Sequence, residues 1–190
     1  MSAQAIFLTH AEVEADPSTP VPEWALSATG AARHEQFAHD ARLKAVRSIF
    51  SSTERKAIEA AAPASMTLDM PVEALVDLGE NDRSATGYLP ADVFWPVVDQ
   101  FFAQPDQSVR GWETARAAQA RIVGATKAAL SAAPGGDVLI VAHGGVGALL
   151  RCHLMGVEIT KSQGQPHSGG GCWFAFDRTT FDAPTGWRTI

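Results

Sequence analysis

The residues best suited to chemistry in this chain are two histidines, each set at the end of an apolar run. His10 follows "AIFLT" and His143 follows "VLIVA", the latter leading into two glycines in "VAHGGVGALL". A neutral imidazole, with an ordinary pKa of about 6.5, can act as a nucleophile near neutral pH. A second imidazole beside it, once protonated, is a good donor to an anionic oxygen. Gly144 and Gly145 stand where a helix would begin, so backbone N–H groups and the helix dipole could approach an anion closely. Arg55, in "SSTER", offers a fork of donors for a bidentate phosphate contact. Glu80, in the irregular stretch "GENDRSATGYLP", offers a carboxyl group as general acid. Nucleophile, anion-binding donors and proton donor are the parts of a phosphoryl-transfer site that needs neither metal nor other cofactor.

These residues must be positioned by the elements around them. Continuous apolar runs at 5–8, 48–52 and 138–142 predict short strands buried on both faces. Weaker strand signals lie at 66–70 and 72–78, and the alternation in "GCWFAFDR" predicts an edge strand. Helical spacing covers 27–46, with Ser27 as N-cap, then 53–62 up to Pro63, 91–103, 111–133 and the stretch after His143. Strands alternating with helices imply a three-layer α/β sandwich with a mostly parallel central sheet. Ligands in such sheets bind beyond the carboxyl ends of the strands. Thr9-His10, Ser51-Ser52 and Ala142-His143 are therefore expected to converge, within one domain over 1–190 whose insertion, about 79–111, covers the site.

Composition narrows the function. The chain has 190 residues, of which 46% are hydrophobic and 19% charged, ordinary for a globular protein with a sizeable core. Fifteen basic residues against 21 acidic ones give a net charge of −6, and no basic run appears, which argues against a nucleic-acid partner. No apolar run is long enough for a membrane span, and the first residues lack the pattern of a secretory signal. Cys152 and Cys172 form no CxxC pair and are expected to be free, buried and cytoplasmic. No Cys/His cluster has metal-ligand spacing, so no metal site is expected. His34 and His39 are expected on an exposed helix, His153 in packing or at the surface, and His167 in a loop that could cover a pocket. Trp95, Phe101, Phe102 and Trp112 could form a core or an apolar substrate wall, with core the preferred reading.

Five short segments, in order, resemble the histidine phosphatase superfamily, with its phosphoglycerate mutase-like fold. They are "LTHAE" at 8–12, "LSATG" at 26–30, "SSTER" at 51–55, "LGEND" at 78–82 and "VAHGG" at 141–145. They stand against that family's Arg-His-Gly strand end, Leu-Thr-x-x-Gly helix start, Ser-Ser-x-x-x-Arg segment, mid-chain Glu and Ser-His-Gly-Gly. By that resemblance His10 would become a phosphohistidine, Arg55 and His143 would bind phosphoryl oxygens, and Glu80 would protonate the leaving oxygen. Asp77 is its rival as proton donor.

The chain departs from the family pattern at Thr9, where the arginine would be, and at Ala11, where the glycine would be. Asp16 stands near where the family often carries a neutral amide. Losing one charge-assisted contact costs about 1.5–3 kcal/mol, roughly ten- to a hundredfold in rate. Arg83 and Arg110, both in irregular segments, are candidates to replace it, beside Thr9 and Gly144. The reading that follows is a metal-independent phosphatase acting on a small phosphomonoester through His10. The alternative is a catalytically weak or inactive phosphate-binding or regulatory protein of the same fold. The sequence is compatible with a homodimer.

Overall fold

The computed structural model describes residues 3–182 and 184–190. Its centre is one six-stranded sheet in the order β3-β2-β4-β1-β5-β6. The strands are β1 (Gln4–Thr9), β2 (Val46–Ser52), β3 (Val72–Leu75), β4 (Asp137–Ala142), β5 (Cys172–Asp177) and β6 (Arg188–Thr189). The first four run parallel, and β5 pairs antiparallel with both β1 and β6. Five α-helices surround the sheet: α1 (Ala28–Phe37), α2 (Arg55–Leu68), α3 (Ala91–Ala103), α4 (Ala115–Ala132) and α5 (Gly144–Leu154).

The absence of polar alternation in the central strands has a direct cause, because both faces are covered. Phe7, Ile140 and Phe174 point into one core cluster with residues of α3, α4 and α5. Their neighbours Leu8, Val141 and Trp173 point the other way, into a cluster with residues of α1 and α2. The arrangement is the expected three-layer sandwich with a mostly parallel sheet. The β1–β4 register then sets the site. Thr9 pairs with Ala142, so His10 and His143 leave neighbouring strands at the same level.

Local chemistry moves several boundaries. The helix expected over 27–46 ends at Phe37, and Asp40 caps a separate short turn at Ala41–Ala45 by accepting from Arg42 N. Val46 already belongs to β2. The second helix passes through Pro63 to Leu68, because its buried alanine face (Ala57, Ala60, Ala61, Ala64) outweighs one lost backbone bond. The strand expected at 66–70 is thereby replaced by a last helical turn, closed at Asp69 in the left-handed region. The strand at 172–177 is not an edge strand, since the two-residue β6 lies outside it.

Candidate active site

His10 is held by its own backbone before its side chain does anything. Its N–H donates to Ala142 O at 3.1 Å, and its carbonyl accepts from Gly171 N at 2.8 Å. The second contact needs glycine: Gly170 and Gly171 have φ of 63° and 61°, and a Cβ on Gly170 would lie 2.1 Å from His10 O. Arg33 ties the same turn down by donating to Gly170 O and Gly171 O. His10 Nδ1 lies 2.8 Å from Ala11 O, a carbonyl that can only accept, so Nδ1 carries the proton and Nε2 presents a lone pair. Burial, with smaller contributions from His143 and Lys56, lowers the His10 pKa to about 3. The imidazole is therefore neutral, as a nucleophile must be.

His143 faces it, with ring centroids 5.2 Å apart in an edge-on arrangement. Its side chain is fully buried, and neither ring nitrogen has a hydrogen-bond partner among the described residues. Burial holds the His143 pKa below its ordinary value. Its nearest charged neighbour is the Glu54 carboxylate, 3.4 Å from Nε2.

Glu80 closes the other side. Its carboxylate accepts from Gly145 N at 3.0 Å, Val146 N at 2.9 Å and Asn81 N at 3.1 Å, which places it on the amino end of α5. A Cβ on Gly145 would sit 2.6 Å from Glu80 Oε1, so that glycine makes the approach possible. From α4, Arg121 donates to the carbonyls of Asp77, Gly79 and Glu80 and fixes the loop. Asp77 is exposed and does not line the cavity.

Arg55 is a correction. It heads α2 on the solvent side, with its side chain 56% exposed and paired with Glu59 at 2.7 Å. The buried stripe of α2 instead runs through Lys56, Ala57, Ala60, Ala61 and Ala64, so the basic residue facing inward is Lys56. Lys56 is ion-paired with Glu54 and donates to Val21 O. Glu54 Oε1 accepts from Glu80 N at 2.8 Å and lies 3.4 Å from His143 Nε2. Burial alone would raise the Glu54 pKa, but His143, Lys56 and the Glu80 N–H outweigh it and hold the value at about 2. Because burial keeps His143 neutral, Lys56 is the cation that sustains this carboxylate at neutral pH.

The other candidates divide. Thr9 is buried and its hydroxyl is used by Cys172 and Gln165, so it supports the strand end and does not line the cavity. Gly144 lines the cavity beside Gln165. Arg83 also lines it, its guanidinium 5.2 Å from the Phe94 ring centroid and 5.7 Å from that of Trp112. Arg110 is exposed and absent from the cavity wall, and Asp16 is exposed and bonded to Ser18 and Thr19. His34, expected on an exposed helix, is 2% exposed and accepts from Ala11 N at 3.0 Å, so it positions the residue after His10. The spacing of Gly30, His34 and Phe37 on one side of α1 is the signal that could have shown this. Phe101, Phe102 and Trp112 are buried yet also line the cavity, and Trp95 stands half exposed on it. They serve as core and wall together. The cavity holds about 360 Å³. Among the described residues, no three His, Cys, Asp or Glu side chains could hold a metal ion, and no helix is long and apolar enough to cross a membrane.

His10 and His34 have folded-state pKa values lowered by burial, to about 3 and about 4. Below their unfolded values the unfolded chain binds more protons than the folded one, so stability falls as pH drops from about 6.5 toward 4. The His10 ring resonances in an NMR titration are expected to stay flat between pH 5 and 8. A midpoint near 6.5 would contradict the buried neutral imidazole.

A mixed sheet carrying two histidines on adjacent strand ends, with a loop glutamate bonded to the amino end of the helix after the second, is a phosphoglycerate mutase-like α/β arrangement. The chain belongs to the histidine phosphatase superfamily (branch 1), whose family model matches residues 6–180. Solved structures agree on the fold. A structure described as mycobacterial hydrolase 1 superposes with a TM-score of 0.78 at 18% identity, covering 99% of this chain and 96% of that one. A mycobacterial glucosyl-3-phosphoglycerate phosphatase gives 0.73 at 19% identity, covering 100% and 97%. YhfR of Bacillus stearothermophilus gives 0.74 at 19%, covering 90% and 89%. Among curated protein sequences, none matches significantly.

Proposed function

We propose that this protein is a metal-independent phosphatase that hydrolyses a small phosphomonoester through a phosphohistidine at His10. The observation that carries the reading is the His10 Nδ1 contact to Ala11 O, which leaves Nε2 unprotonated on the wall of a cavity shared with Glu80. In the first step Nε2 attacks phosphorus, the bond from phosphorus to the ester oxygen breaks, and protonated Glu80 gives that oxygen its proton. In the second, water attacks phosphorus, the Nε2–P bond breaks, and the Glu80 carboxylate takes the proton from water. Arg83 and the Gly144 N–H, on the cavity wall, are the donors proposed for the phosphoryl oxygens, with Lys56 and His143 the buried groups next to His10 that would join them. Two free, buried cysteines suit a reducing cytoplasm.

One observation favours the second reading, a catalytically weak phosphate-binding protein. The Glu54 carboxylate lies against Lys56 and His143, the donors a phosphoryl group would use. Hydrolysis of an aryl phosphate by the wild type and by Glu54→Gln, with a chelator present, tests both readings. Glutamine keeps the acceptor for Glu80 N and removes the negative charge. Between partly buried charges a few ångströms apart, that is worth at least about 1.4 kcal/mol, or tenfold. The phosphatase reading expects chelator-resistant turnover in the wild type and about tenfold tighter inhibition by inorganic phosphate in the variant. A wild type inert toward aryl and natural phosphate esters alike, yet able to bind phosphate, would establish the binding protein instead.

A further inference from the structure

The wall of the active cavity says more about the ligand than its floor does. Phe94, Trp95, Val98, Phe101 and Phe102 stand at spacings of one, four, seven and eight along α3, one continuous helical stripe, and all five line the cavity. Trp112 joins them from the segment before α4. A stripe of this kind normally buries itself against core. Here its deeper members, Phe101 and Phe102, do so, while Trp95 is 42% exposed and Phe94 and Val98 are only partly covered. The rings are already locked to one another. Phe94 meets Trp95 edge-on at 5.0 Å, and Trp112 lies 6.0 Å from Phe94 and 6.3 Å from Phe101. Two cations bracket this surface. Arg83 lies over Phe94 and Trp112, and Lys161 lies 5.4 Å from the Trp95 centroid while paired with Asp99.

Polar groups able to recognise a sugar are scarce on that side. The other polar side chains of the lining come from outside α3, with His10 at the end of β1, Glu80 and Asn81 in the loop before α3, and Gln165, His167 and Ser168 in the segment after α5. A hydroxyl-rich leaving group laid flat on the α3 rings would lose hydrogen bonds to water over that area and gain none from Phe94, Trp95, Val98, Phe101 or Phe102, which costs more than contact returns. A flat apolar group would instead gain buried area and ring contacts.

Building on the phosphatase reading, we infer that the substrate is a phosphoester whose leaving group is an aromatic or similarly flat apolar body, seated on the α3 face with its phosphoryl group toward His10. The occupant carries its charge at the phosphorus end, because the face it rests on is built of aromatic rings, with Arg83 stacked on Phe94 and Trp112 and Lys161 paired with Asp99.

The test compares two non-hydrolysable ligands with the same head group, 2-naphthylmethylphosphonate and methylphosphonate, by calorimetry with the full chain. The naphthyl ligand is expected to bind at least about thirtyfold more tightly. Trp95→Ala, at a partly exposed position where the fold tolerates truncation, is expected to cut naphthyl affinity about tenfold and leave methylphosphonate unchanged. A ratio within threefold, or a Trp95→Ala effect that is equal for both ligands, would overturn the inference. The underlying phosphatase reading fails separately. Equal aryl phosphate hydrolysis by wild type and His10→Ala would remove it, while the naphthyl preference, if present, would still stand as a property of the wall.

Discussion

His10→Ala is expected to lose aryl phosphatase activity by about a thousandfold or more, while folding and thermal stability change little for the worse. The first part follows from covalent chemistry, since removing a nucleophile removes the route through the intermediate, and the remaining groups supply only binding and charge stabilisation. The second part follows from how His10 is placed. Its position is fixed by backbone bonds to Ala142 O and Gly171 N, which alanine keeps. The side chain makes one hydrogen bond, to Ala11 O, and is neutral, so its removal strands no charge. Steady-state kinetics with a chelator present and a thermal melt on the same preparations check both halves. A variant that retains more than about a tenth of the activity would place the nucleophile elsewhere.

Lys56→Met has the largest expected effect on stability. The Lys56 and Glu54 side chains are 4% and 13% exposed, and the ammonium group is the cation that lets the Glu54 carboxylate remain ionised inside the protein. Breaking a buried pair by removing one partner leaves an uncompensated charge and costs about 3 kcal/mol or more. For a chain of this size that corresponds to a melting temperature lower by about 10 °C. Lys56→Met combined with Glu54→Gln should recover most of the loss, because the stranded charge is gone. A double variant as unstable as the single one would show that Lys56 acts through its packing and its bond to Val21 O alone.

Much of this was legible in the sequence because parallel strands leave a distinct mark. "AIFL" and "VLIVA" read as strands covered on both sides, and the sheet rule directs attention to His10 and His143. Glu80 and Arg83, both in the irregular segment after Leu78, line the cavity. Two differences at the site concern the facing of single residues on helices. Arg55 and Lys56 are adjacent, so a shift of one position separates a solvent charge from a buried one. A count along the Ser-Ser-x-x-x-Arg pattern from Ser51 falls on Lys56, and the alanines at 57, 60, 61 and 64 mark the same side as the inner face. His34 was misplaced for the same reason, since α1 has few large apolar residues to reveal its buried side. Glu54 could not have been anticipated from spacing, because its inward aim depends on Lys56 and Glu80 N, two groups brought together only by the fold.

The proposed reaction depends on a covalent bond to one nitrogen of His10. The most direct measurement is rapid quenching of the wild type during turnover of an aryl phosphate, followed by intact-mass and peptide mass analysis under alkaline conditions that preserve phosphohistidine. The expected result is a single phosphoryl adduct on His10, lost on acid treatment and absent from His10→Ala. Turnover without an adduct, or an adduct on another residue, would contradict the account.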